Sequence, residues 1–561
     1  MDCPNMILSN NTYDFIVARD EQEVAFIPPQ CIQPINEEFA IWYYDNAVLP
    51  PLNIEDYSYA SIPKCFFLMD TTNLEVSGIL SIQNQPALSL KGKGILLGFV
   101  DTGIDYTNRL FRDEIGETRI VSIWDQTAQV TEEAVPPQGF QYGVEYSKMQ
   151  INQALRELNP RAQVPVTDEN GHGTFLASVA AGSEDRENDF IGAAPESELV
   201  VVKLKEAKQN LRDFFYLPSQ TPIYQENDIM AAVAYLESVA QRENKPMVVL
   251  LGLGSNQGSH VGTDPLSVYL DSIGGRRERA VVIAAGNQAA MQHHFYGEAK
   301  SVTAPVIVEI NVGEGLKGFC AELWTYAPEQ VRVVVQSPTG QQSQGAFPIT
   351  EETQTTNFVF ENTTVTINYR VAGRKRGDLL VFLRFSSPIA GIWTLRIYPE
   401  NAITGAFHIW LPVEADGEIT FIRPEPNTTI TTPSTAEIPI TVGAYNGLTA
   451  ARDLNSGRGF DGLGRVKPDF CAPGVDVSGA GLRNNYVTAT GTSVSAAITA
   501  GATAQVLEWG VLRGNVPAMN SVEVKNLLIR GCVRDDTLVY PNEEWGFGRL
   551  DVYNAFQVLR E

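Results

Sequence analysis

Apolar and polar positions along this chain fall into three textures. Between residues 90 and 300, largely apolar runs at 95–100, 199–204, 247–251 and 280–285 alternate with stretches of helical spacing. A run without polar alternation suits a strand covered on both faces, as in a parallel sheet. Residues 226–241 carry apolar side chains at helical spacing and link two such runs, the βαβ pattern of a three-layer α/β domain. After residue 303 the helical spacing fades. Short β-rich runs at 331–335, 364–369, 379–383, 393–398 and 407–410 follow one another, separated by turns such as Ser337-Pro338-Thr339-Gly340. This predicts an all-β sandwich or jelly roll inserted into the α/β domain. The α/β texture returns at 438–443 and ends in helices through 552–556.

The first residues form a separate piece. Strand-like runs at 14–18, 23–27 and 39–44 precede a break at Pro50-Pro51. The division is therefore 1–58 as an N-terminal segment, 59–302 and 433–561 as two halves of one α/β domain, and 303–432 as the insert. A chain of 561 residues has room for several such units.

Composition narrows the function classes. A formal charge of −25 argues against binding nucleic acid or anionic lipid through a basic surface. No apolar run approaches the roughly 18 residues needed to span a bilayer. The N-terminus, Met1-Asp2-Cys3-Pro4-Asn5-Met6-Ile7, lacks the basic and apolar regions of a secretory signal, which favours a cytoplasmic protein or release by a route without one. The six cysteines (Cys3, Cys31, Cys65, Cys320, Cys471, Cys532) show no metal-ligand spacing and suit reduced thiols or small core residues.

Four segments carry candidate chemistry. Asp101 ends an apolar run in Gly98-Phe99-Val100-Asp101-Thr102-Gly103, where strand ends in open α/β sheets gather ligand and catalytic groups. His172 lies in Asn170-Gly171-His172-Gly173-Thr174, ahead of a helical stretch. Ser493 follows Thr490-Gly491-Thr492 and opens a small-residue helix, whose first-turn N–H groups and positive dipole end favour a developing oxyanion. Asn287 ends the run 281–287 and offers an amide donor. Each segment alone also reads as a cap or a turn. Together they supply a carboxylate, an imidazole, a hydroxyl and an oxyanion donor, the parts of nucleophilic acyl transfer.

In this chain order the four segments resemble the subtilases, the subtilisin-like serine proteases. The resemblance implies an α/β subtilisin-like three-layer fold with a mostly parallel sheet. It implies Asp101 as orienting acid, His172 as general base and acid, Ser493 as nucleophile and Asn287 as oxyanion donor. Gly252, Leu253 and Gly254 resemble the strand that pairs with substrate, and Ala285 and Gly286 the opposite pocket wall. Gly252 stands where a serine is common in the family. Cys471 takes a usually apolar place, as a packed side chain.

The long insert, the absence of a signal and the segment 544–551 are similar to the Csp-type germination proteases of clostridia and their relatives in gut anaerobes. That likeness implies a prodomain that is cut autocatalytically and stays bound, with the cut near Tyr57-Ser58-Tyr59-Ala60, and a spore-associated place of action. Partners are then a protein or peptide substrate and the chain's own prodomain. The chemistry needs no cofactor. Subtilases often hold structural calcium, but no D-x-[DN]-x-[DN]-G loop occurs here. The alternative is a catalytically silent receptor or scaffold of the same fold.

Overall fold

The four largely apolar runs become neighbouring strands of one sheet. In this computed structural model, which describes residues 3–18, 27–68, 77–86, 88–132, 134–345, 353–372 and 376–559, the central sheet has eight strands. Their order is Phe470–Pro473, Ile440–Tyr445, Arg279–Ala284, Met247–Leu251, Leu96–Asp101, Glu198–Lys203, Ile120–Asp125 and Val144–Ser147. All adjacent pairs are parallel except the last.

The side chains of these strands divide between two apolar clusters. Leu97, Phe99, Val201, Val248 and Val282 pack with the helices His172–Ala181 and Thr492–Leu507. Leu96, Val100, Val200, Val249 and Val281 pack with Glu226–Glu243 and Pro265–Gly274 on the other face. Burial on both faces is why these strands lack polar alternation. This is the expected three-layer α/β arrangement. Thr492–Leu507 is buried along its whole length, so small residues suit it throughout.

The insert forms two antiparallel sheets facing one another. One holds His294–Glu298, Ala406–Trp410, Gly318–Thr325, Leu379–Ser386, Thr363–Val371 and Thr353–Phe358 in that order. The other holds Gln330–Gln336, Gly391–Asn401, Val306–Val312 and Ile419–Phe421. Val308, Val333, Ile367, Leu383, Trp393 and Phe407 share the core between them. The sandwich thus begins at His294, ahead of residue 303 where the texture changes.

At the N-terminus, Thr12–Ala18, Phe39–Asp45 and Cys31–Pro34 form a small antiparallel sheet, preceded by the helix Cys3–Leu8. The strand expected at 23–27 lies almost wholly outside the described residues. Ile16, Ile41 and Tyr43 pack into the same cluster as Met230 and Val233 of the Glu226–Glu243 helix. Cys3 and Cys31, expected as thiols, are disulfide-bonded with Cα atoms 5.3 Å apart, because the Cys3–Leu8 helix packs back against the sheet. The remaining cysteines are free and buried. Among the described residues, no helix is long and apolar enough to cross a membrane.

Candidate active site

Asp101 is the last residue of Leu96–Asp101 and is buried, with one oxygen accepting the Thr102 N–H at 2.8 Å. His172 starts its helix beside it. The imidazole Nδ1 lies 2.8 and 3.0 Å from the two Asp101 oxygens. A carboxylate only accepts, so Nδ1 carries a proton, and in the neutral ring Nε2 keeps its lone pair. That lone pair faces Ser493 Oγ at 3.3 Å. Gly173 permits the approach of helix to strand: a Cβ there would sit 2.2 Å from the Gly103 carbonyl oxygen and 3.2 Å from Asp101 Cβ.

Ser493 lies in the first turn of Thr492–Leu507, where backbone N–H groups lack intrahelical acceptors. Asn287, just past Arg279–Ala284, turns its amide oxygen toward Thr492. It accepts the Thr492 N–H and hydroxyl, each at 3.1 Å. The Thr492 hydroxyl in turn accepts the Gly286 N–H at 3.0 Å. With its oxygen engaged, Asn287 presents its NH2 as the group left to donate. The four residues are thereby gathered from four separate elements, and an imidazole so held can take a proton from the serine hydroxyl.

Leu253–Gly254 is already occupied. Cys65–Leu68 pairs with it antiparallel, Leu68 opposite Leu253 and Phe67 opposite Gly254. On its other side the same strand pairs with Tyr224–Gln225. Phe66 is fully buried in the cluster that holds Leu253 and Tyr224. The strand runs toward Gly252, where a Cβ would stand 3.1 Å from Ser493 Cβ and 3.2 Å from His172 Cε1. The bare backbone at Gly252 therefore faces both residues directly. Opposite, the Ala285 carbonyl accepts the Thr431 N–H at 3.0 Å, and Thr432 exchanges two backbone hydrogen bonds with Ser255, each 2.9 Å. The segment returning from the insert thus ties the Ser255 and Ala285 strand ends together.

One supporting residue escaped the sequence reading. Asp168 accepts the Gly171 N–H at 2.8 Å, the Thr174 N–H at 2.9 Å and the Thr174 hydroxyl at 2.6 Å. Its other contact is the Thr102 hydroxyl at 2.8 Å, which itself accepts the Gly173 N–H at 3.0 Å. Asp168 therefore joins the His172 helix start to the turn after Asp101. An aspartate just before Asn170-Gly171 was the signal available. Burial, then the Asp101, Glu206 and Asp168 carboxylates, push Tyr224 upward, so its phenol stays protonated.

Cys471 is buried and donates to the Glu544 carbonyl at 3.4 Å; burial pushes its thiol up to about 12. It is a packed thiol and not a nucleophile. Among the described residues, no cluster of three or more His, Cys, Asp or Glu side chains is set to hold a metal ion.

The subtilase family model matches residues 92–314 and 403–548, skipping most of the insert. Among solved structures, the CspB protease of Clostridium perfringens superposes with a TM-score of 0.77 at 30% identity, covering 87% of this chain and 97% of that one. The subtilisin-like protease SBT6.1 of Arabidopsis thaliana is 30% identical over 100 residues, 18% of this chain and 9% of that protein.

Proposed function

The chain belongs to the subtilase family, and on that premise we propose that it is a serine endopeptidase working through Asp101, His172 and Ser493. The observation that carries this reading is the unbroken line from the Asp101 carboxylate through Nδ1 and Nε2 of His172 to Ser493 Oγ. Ser493 Oγ attacks the peptide carbonyl as His172 Nε2 takes its proton. Asp101 holds the imidazole in that tautomer and stabilises the imidazolium. The oxyanion receives hydrogen bonds from the Ser493 N–H and the Asn287 amide, aimed at charge that develops only in the transition state. His172 returns the proton to the leaving amine, and water releases the acyl group by the same route. Gly252, Leu253 and Gly254 hold the extended substrate on one side; Ala285 and Gly286 line the other.

The chain's own N-terminal segment is part of this reading. Cys65–Leu68 lies where an extended substrate would lie and points toward Ser493. Tyr59, by contrast, is buried with its hydroxyl 2.6 Å from the Glu322 carboxylate of the insert. This favours self-cleavage C-terminal to Leu68 over a cut at Tyr57–Ala60.

A fluorophosphonate tests the core of the proposal. Wild-type protein should label at Ser493, and Ser493→Ala should lose both labelling and self-cleavage. N-terminal sequencing of the purified chain should find a new terminus beyond Leu68. Undiminished labelling of Ser493→Ala would refute the nucleophile, and an unlabelled wild type would favour a silent scaffold.

A further inference from the structure

His260 stands outside the four-residue site, and its imidazole is held from several sides. It is fully buried, with a left-handed backbone at φ 50°. Both of its ring nitrogens lie against backbone carbonyls, Nδ1 2.8 Å from the Ile430 oxygen and Nε2 3.1 Å from the Asn256 oxygen; the neutral ring has one N–H, so it donates to one of them and packs edge-on against the other. Asn256 belongs to the loop that continues directly from Leu253–Gly254. Ile430 adjoins Thr431 and Thr432, which bind Ala285 and Ser255. One ring therefore joins the extension of the substrate strand to the segment that ties the Ser255 and Ala285 strand ends.

The ring is also held by the insert. Trp410, at the end of an insert strand, stacks on it with centroids 3.9 Å apart and planes 5° from parallel. The same loop meets the insert at three more points. Glu322 accepts the Gly258 N–H at 3.0 Å, Tyr326 donates to the Ser259 carbonyl at 2.8 Å, and Asn256 donates to the Leu411 carbonyl at 3.0 Å. None of these groups belongs to Leu96–Asp101, to the His172 helix or to the Ser493 helix. These contacts fall on the substrate strand's extension, and none of them on the strand and helices that carry the triad.

We infer that His260, stacked on Trp410, is a positioning residue for substrate binding, through which the inserted sandwich sets the register of the Leu253–Gly254 strand. The inference rests on the protease reading. It adds that the insert acts on the binding of extended peptides and not on the chemical step. A left-handed backbone held at a non-glycine residue persists only where its surroundings over-determine it. Here those surroundings are two carbonyls and an indole face.

The experiment uses the full chain after processing and an internally quenched decapeptide. His260→Asn tolerates the left-handed backbone but is too short to fill the space between the two carbonyls; Trp410→Leu removes the stacking face. Each should raise KM about tenfold while kcat and the rate of labelling by a small fluorophosphonate stay within about twofold of wild type. His260→Gln, whose amide carries two N–H donors, should recover most of the lost affinity. Trp410→Phe keeps an aromatic face and serves if Trp410→Leu does not fold; it should show the same split at smaller size. KM within twofold of wild type in these variants would overturn the inference. So would a joint fall of kcat, affinity and labelling, which is the mark of a merely structural role. Should the wild type itself fail to label, the protease reading falls, and the brace is still read from the decapeptide's affinity by fluorescence polarisation.

Discussion

Lys208 Nζ lies 2.5 Å from the Asp14 carboxylate, and both side chains are sealed from solvent at the seam between the N-terminal sheet and the α/β domain. Asp14 also receives Gln225 Nε2 at 2.8 Å and Asn227 Nδ2 at 3.3 Å. Burial lowers Lys208 from its ordinary range, and Asp14 is the leading influence holding it up. Removing one partner of such a pair strands the other charge, at about 3–5 kcal/mol. Asp14→Asn should therefore destabilise the folded chain by several kcal/mol in urea melts and, if the N-terminal segment is cut as proposed, speed its loss in gel filtration. Adding Lys208→Met should restore part of that stability. A double variant weaker than Asp14→Asn by the full effect of a second lesion would show that the charge pair is not the cause.

Asn287 should behave as a donor to the transition state and not as a binding group. With its oxygen engaged by Thr492, only its NH2 faces the site. Replacing it by alanine should lower kcat by about 10²–10³ and leave KM nearly unchanged. Steady-state kinetics on a chromogenic peptide separate the two. A rise in KM at constant kcat would mean that Asn287 holds ground-state substrate instead.

The parallel sheet was legible in the sequence because double-sided burial writes itself as largely apolar runs, as at Leu96–Asp101 and Met247–Leu251. Asp101, His172 and Ser493 were legible because each sits at the end of an element, among the glycines its backbone needs. What stayed hidden was long-range. Cys65–Leu68 is a short apolar run whose partners, Leu253–Gly254 and Tyr224–Gln225, come far later in the chain. Asp168 looks like any turn aspartate until Thr102 and Thr174 close on it. The disulfide between Cys3 and Cys31 depends on a helix too short to leave a periodic signal.

Asp168 offers a test of how far support reaches into chemistry. It binds the first turn of the His172 helix through Gly171 and Thr174, and the turn after Asp101 through Thr102. Asp168→Ala frees both ends of the carboxylate–imidazole pair. Small misplacements of reacting groups cost up to about 10²-fold in rate. The expected result is a fall in kcat of about 10- to 100-fold, with matching loss of fluorophosphonate labelling and an unchanged circular dichroism spectrum. Full activity in a folded Asp168→Ala protein would show that Asp101 and His172 hold their geometry unaided.

Acid should loosen the seam between the insert and the α/β domain. His260, His294 and His408 gather around Trp410, with His294 Nε2 3.0 Å from His408 Nδ1 and His294 Nδ1 donating to the Glu425 carbonyl. Burial is the main reason that His260 falls to about 4, His408 to about 3 and His294 well below its ordinary value; neighbouring imidazoles lower His294 and His408 further. In the unfolded chain these rings titrate near 6.5. Between the two ranges the unfolded chain binds more protons, so stability rises with pH there. The contribution is complete above about pH 6.5 and is lost as pH falls toward 4. A ring held from about 6.5 down to about 4 accounts for on the order of 3 kcal/mol. Thermal melts at pH 7 and pH 4.5 should show a large drop in the wild type and a smaller one in His408→Gln. Equal drops would assign the acid sensitivity to carboxylates elsewhere and not to this cluster.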